Sequence, residues 1–228
     1  MRRGWILVGL VLVMVGCRGD NRGIGAIEQP AEEPEPPEES GLADVIPACS
    51  GDPWERFRES GIDAPPEDSE AYAVPGSARR SSVETALAAF SNGNYQDALT
   101  RADDAAYDLC HSETGVGPLV FWYPVNAGEG HARWVLRANT DARPVLVEAT
   151  HGFFETDTLT QAVGIFRSLD ARGLLVNAGH RCANTTASGC DGTTSVCGSS
   201  EAFRESDMAH TVESFFQILG LHAGEDNT

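Results

Sequence analysis

The chain has 228 residues, with 34 acidic and 16 basic side chains and a formal net charge of −18. All of its basic side chains are arginine; there is no lysine. So acidic a surface excludes nucleic acid and anionic lipid headgroups as partners.

The chain opens with Arg2 and Arg3, an unbroken apolar run, WILVGLVLVMV, over residues 5–15, and then Gly16-Cys17. A membrane span needs roughly 20 apolar residues, so this shorter run reads as a signal peptide over residues 1–16. Its loss removes two arginines and takes the charge from −18 to about −20. Residues 17–46 then read as a tether. EQPAEEPEPPEES is acidic and rich in proline, with almost nothing to bury. Prolines stiffen such a segment and like charges extend it. A single α/β domain is expected over residues 47–228.

Within it, DPWERFRES suits one short helix. A helical hairpin is predicted over residues 81–111. Ser81 and Glu84 have capping-box spacing, and Asn92-Gly93-Asn94 divides the hairpin. The texture changes at residue 119. LVFWYPV and ARWVLRA are rich in branched and aromatic residues and read as strands, with NAGEG as the hairpin loop between them. PVLVEAT is a third strand, apolar enough to be covered on both faces. A helix follows over 157–169, where Leu159, Ala162, Val163, Phe166 and Leu169 recur at helical spacing. ARGLLVNAG is the next strand. Strand, helix and strand with short joints make a parallel βαβ unit. A last helix is predicted over 207–219, with Val212, Phe215, Phe216 and Leu219 as its buried stripe. The expected fold class is therefore α/β: a small mixed sheet with a parallel βαβ unit, spanning 119–221 with its helices and preceded by a helical hairpin.

Six cysteines are present: Cys17, Cys49, Cys110, Cys182, Cys190 and Cys197. An exported chain permits disulfides. With Cys17 set aside, the simplest tally is two bridges and one free thiol. At least one bridge is expected within the trio Cys182, Cys190 and Cys197, or from that trio to Cys49 or Cys110. No CxxC pair favours a structural zinc site.

Chemistry in an open α/β sheet sits beyond the carboxyl ends of the strands. His151 and His180 follow the two parallel strands, so both are expected at one sheet edge. Glu155 and Asp157 lie between His151 and the helix, and Arg181 adjoins His180. His151, Glu155 and His180 have the ligand types of a catalytic zinc, two imidazoles and a carboxylate. Arg181 suits a substrate carboxylate, and Asp157 suits a base or a partner for an imidazole. Asp207 and His210, three apart on the predicted last helix, form a second candidate pair. The plain alternative is that Ser206 or Asp207 caps that helix and that Thr156 to Thr158 start the one before it. There is no serine-nucleophile elbow, P-loop or GxGxxG fingerprint.

Two resemblances add to this reading. MVGC, Met14 to Cys17, resembles a bacterial lipobox, which implies cleavage before Cys17 and acylation of its sulfur and amino group, as by palmitate. Arg18 after the cysteine implies the outer rather than the inner membrane, and attachment of the chain to the cell envelope through lipid. EATHGFFETDT followed by LLVNAGHR resembles the zinc-dependent amidohydrolases related to N-formylglutamate amidohydrolase and poly-gamma-glutamate hydrolase, whose fold is like that of metallocarboxypeptidases. That resemblance implies His151 and Glu155 as metal ligands, zinc as cofactor and hydrolysis of an amide or related acyl bond in a carboxylate-bearing small molecule or peptide. The carboxylate here is four residues after the histidine, a departure from the family spacing. His180 as third ligand comes from strand geometry alone. The other expectation is a non-catalytic envelope lipoprotein, a binding or scaffold module on a degenerate hydrolase-like domain.

Overall fold

The computed structural model describes residues 41–138 and 142–225. The signal, Cys17 and nearly all of the tether lie outside them. Among the described residues no helix is long and apolar enough to cross a membrane.

Alternation of large apolar side chains builds the sheet. In β2 (Leu119–Pro124), Val120 and Trp122 point to one face while Leu119, Phe121 and Tyr123 point to the other. In β3 (Arg133–Arg137), Trp134 and Leu136 join the first face and Val135 the second. Both strands are buried throughout, so the sheet is covered on both sides. With β1 (Tyr107–Ser112), β4 (Arg143–Ala149) and β5 (Ala171–Val176) they form a five-stranded sheet in the order β1-β2-β3-β5-β4. Only β4 and β5 pair in parallel; the other neighbours are antiparallel.

The first face is covered by α3 (Ser77–Ser91), α4 (Tyr95–Asp104) and α6 (Phe215–Glu225). The second is covered by α2 (Pro53–Glu59) and α5 (Thr158–Leu169). Trp54 of α2 meets Phe121 and Phe166 with ring centroids 5.1 and 5.9 Å apart, tying α2 and α5 to the sheet. The predicted break of the helical hairpin stands: Asn92 ends α3, Gly93 turns at φ +76°, and the Asn94 side chain accepts the Asp97 N–H.

Several boundaries differ from the sequence reading. α3 starts at Ser77 behind Gly76, so Ser81 and Glu84 lie inside the helix and form no capping box. The hairpin ends at Asp104, and Tyr107–Ser112 is strand β1; the alanine-rich DDAAYDL favours a helix locally, but pairing with β2 wins. β4 is an edge strand, exposed over 143–145, with a register break between Arg143 and Leu146. Within the parallel pair, the strand sealed on both faces is β5. The last helix starts at Phe215, where the Ser214 hydroxyl accepts the Gln217 N–H. Residues 207–214 are turns and bends, and Val212 is 59% exposed rather than central to a buried stripe. Leu42 and Ile46, at the end of the segment read as tether, are core residues, carried there by the short helix α1 (Leu42–Val45).

Two disulfides are present among the described residues, Cys49–Cys110 and Cys182–Cys197. No described cysteine is free, so the leftover thiol of the simple tally is not found there.

Candidate functional site

Ala149, the last residue of β4, is paired with Val176, the last of β5. The 150–157 and 177–184 loops therefore leave the same sheet edge, as the crossover argument requires. Asn177 N–H donates to Ala149 O at 2.9 Å and holds the two exits together. His151 is 8% exposed, at the head of a turn whose Phe154 and Glu155 N–H groups donate to its carbonyl.

The partner of His151 comes from much later in the chain. Its Nε2 lies 3.5 Å from Asp207 Oδ1, and both side chains are nearly buried. Asp207 is delivered there by a stapled loop. Cys182–Cys197 closes the loop, and the buried Arg204 donates to Asp68, Glu201 and the carbonyls of Cys182 and Cys197. Ser206 Oγ donates to Arg181 O, and Ser206 N–H donates to Asn184 Oδ1. Those contacts fix the residue just before Asp207 against the loop that follows β5. His210 follows on the same turn, its N–H donating to Asp207 O at 2.8 Å and its ring stacked on Phe203 at 3.5 Å.

Burial sets the charge states. It pushes the His151 pKa down to about 4, with Arg181, His180 and His210 adding like-charge pressure. Burial also raises the Asp207 carboxyl, against the pull of His210 and Arg181. His151 is therefore a neutral imidazole at pH 7, and its Nδ1 is buried without a hydrogen-bond partner.

The other predicted residues fall into place differently. Glu155 forms an ion pair with Arg181, and its side chain is 46% exposed. His180 packs edge-on against Phe154, with ring centroids 5.0 Å apart. Its Nδ1 accepts the Cys182 N–H, so when neutral it carries its proton on Nε2 and offers a donor rather than a lone pair. Asp157 sits at the start of α5 in the left-handed conformation, φ 61°, and caps nothing with its side chain. Together with Gly152, Phe153, Phe154, Glu155 and Leu159 it lines a shallow hollow of about 350 Å³.

The pair fits two neighbouring ligands of a metal. Zinc bonds of about 2.0–2.2 Å at a tetrahedral angle place adjacent ligand atoms about 3.4 Å apart. The His151–Asp207 separation is 3.5 Å, with a neutral imidazole on one side and a carboxylate on the other. His210 is the imidazole whose charge registers on both members of the pair. Among the described residues no group of three His, Cys, Asp or Glu side chains is gathered closely enough to hold an ion.

No family model, no curated protein and no solved structure matches this chain. Its chemistry has to be read from the residues themselves.

Sequence reasoning missed Arg133, Asn177 and His131 as buried polar residues at or near this edge. Arg133 left a signal, a charge on an inward position of an apolar strand. Asp207 and His210 were found, but on a helix that does not reach them.

Proposed function

We propose that this protein is a lipid-anchored envelope hydrolase of amide or related acyl bonds, working at the His151–Asp207 edge. The supporting observation is a buried, neutral imidazole 3.5 Å from a buried carboxylate. That pair replaces His151 with Glu155 as the core of the proposed zinc site; His210, in place of His180, would join it as a further imidazole only by leaving its stack on Phe203. When bound, the metal would supply Lewis acidity and an activated water. His151 presents a lone pair because burial keeps the proton off it. Asp207 would ligate as a carboxylate, and because burial raises its pKa, protonation in acid would compete with the metal. His180 has an Nε2–H donor for a carbonyl or leaving amine. Arg181 adds positive charge, and Glu155 must yield it before it can take a substrate carboxylate.

The second reading is the non-catalytic binding or scaffold module. The Glu155–Arg181 pair favours it, because that guanidinium already has a carboxylate. Metal analysis separates the two. Residues 17–228, purified and reconstituted with zinc, are expected to retain it near-stoichiometrically, and His151→Ala and Asp207→Asn to lose it. Wild-type protein that holds no zinc would sink the enzyme reading and leave the module.

The envelope assignment has its own test. Mass spectrometry of the mature chain from a bacterial membrane fraction is expected to show acylation on the sulfur and the amino group of Cys17. A Cys17 without acyl chains, whether free or bridged, would overturn the anchor.

A further inference from the structure

Arg133 opens β3 in register with Val176, on the sheet row where β5 ends. It is fully buried on the face that carries Val135 and Phe121. Its Nη2 donates to Ser60 O, while Nε and Nη1 are buried with no acceptor. Asp63, whose charge registers at this guanidinium, is itself exposed and forms no ion pair with it among the described residues. A buried cation without a counter-charge is costly, and burial lowers even the arginine pKa, to about 10.

An aromatic ring covers the guanidinium. Phe153 lies with its centroid 5.1 Å from Arg133 Cζ. The ring rests where Gly61 has no side chain, since a Cβ there would overlap it. Phe153 also lines the 350 Å³ hollow at the start of α5. The hollow, the ring and the unsatisfied guanidinium thus adjoin one another. Phe153 is only partly buried, so its outer side is open.

We propose that Arg133 is a concealed binding site for small organic monocarboxylates, with Phe153 as its stopper. Displacing the ring lets a carboxylate supply the acceptors that Nε and Nη1 lack. Planar carboxylates match guanidinium donors. One cation among aromatic neighbours suits one negative charge on an apolar body; a phosphate dianion would leave a charge uncompensated. This extends the reading of the edge as a place for carboxylate-bearing substrates. It needs neither turnover nor metal to be measured, so its failure and a failure to bind zinc are separate results.

The test is thermal melting and Nε–H NMR of the full chain titrated with butyrate at pH 7, against pentan-2-one, the neutral molecule of the same shape. Butyrate is expected to shift one buried arginine Nε–H resonance saturably and to raise Tm, and pentan-2-one to do neither. Phe153→Ala should lower the half-saturating butyrate concentration by about tenfold, because the ring no longer has to be displaced. Arg133→Gln, checked for a native circular dichroism spectrum, should lose both that resonance and the rise in Tm. An equal response to pentan-2-one, an undiminished rise in Tm in Arg133→Gln, or no saturable butyrate effect in either wild type or Phe153→Ala would overturn the site. The Phe153→Ala arm keeps the test decisive should Arg133→Gln fail to fold.

Discussion

Replacing Cys49 and Cys110 together by serine is expected to lower the unfolding free energy by about 4 kcal/mol, from the chain entropy of the loop they close. Their sequence separation is 61, against 15 for Cys182–Cys197, for which the same argument gives about 3 kcal/mol. The native state should survive the loss. Around the bridge, Cys49 N–H donates to His111 O and His111 N–H to Pro47 O, both at 2.8 Å, and Ala48 bridges His111 in parallel. The segment before α2 thus stays laid along β1 without the sulfurs. Urea unfolding followed by tryptophan fluorescence measures the effect, since Trp54 lies just beyond the bridge and Trp122 and Trp134 inside the core. A loss below about 1 kcal/mol would mean that the unfolded chain is already held close by other contacts.

Acid is expected to destabilise the metal-free protein strongly between pH 6.5 and 4. Burial pushes both His151 and His131 down to about 4 from an ordinary value of 6.5. The unfolded chain binds a proton on each in that window and the folded chain does not. Their contribution is therefore complete above pH 6.5 and is lost as pH falls through about 4. His131 is 4% exposed and lies 3.0 Å from Glu129, whose carboxylate also pairs with Arg79 and accepts from the Asn126 side chain. Glu129 is itself lowered, chiefly by Arg79 once burial is overcome, and so its contribution is also lost in acid. Asp207 and Glu148, both raised by burial, act in the opposite sense and soften the fall. Urea midpoints between pH 7.5 and 4.5 should drop steeply, and His131→Gln should flatten the curve by about one proton. A pH-independent midpoint would show that these rings are charged or solvated in the native state.

The elements whose side chains decide their own surroundings were legible. Val120, Trp122, Trp134, Leu174 and Val176 announce buried strands whatever follows, and α5 declares itself through Ala162, Val163 and Phe166. What could not be read depended on distant pairing. Tyr107–Ser112 is a strand only because β2 lies beside it, and β4 is an edge because no further strand among the described residues pairs with it. The site divides the same way. The common exit of His151 and His180 follows from a local βαβ unit. The partnership of His151 with Asp207 spans the intervening loop and is set by Arg204, Ser206 and a disulfide, none of which carries a periodic signal.

The exposed start of β4 has a consequence for how copies of this chain meet. A free strand edge is a template on which a second chain can add its own strand. Arg143 places a charge there, Pro144 has no N–H to offer, and the register breaks before Leu146. The first half of the edge is thereby spoiled for pairing, and only the stretch from Leu146 onward keeps regular strand geometry, beside β5. A sheet that ends in this way resists joining end to end with its neighbours.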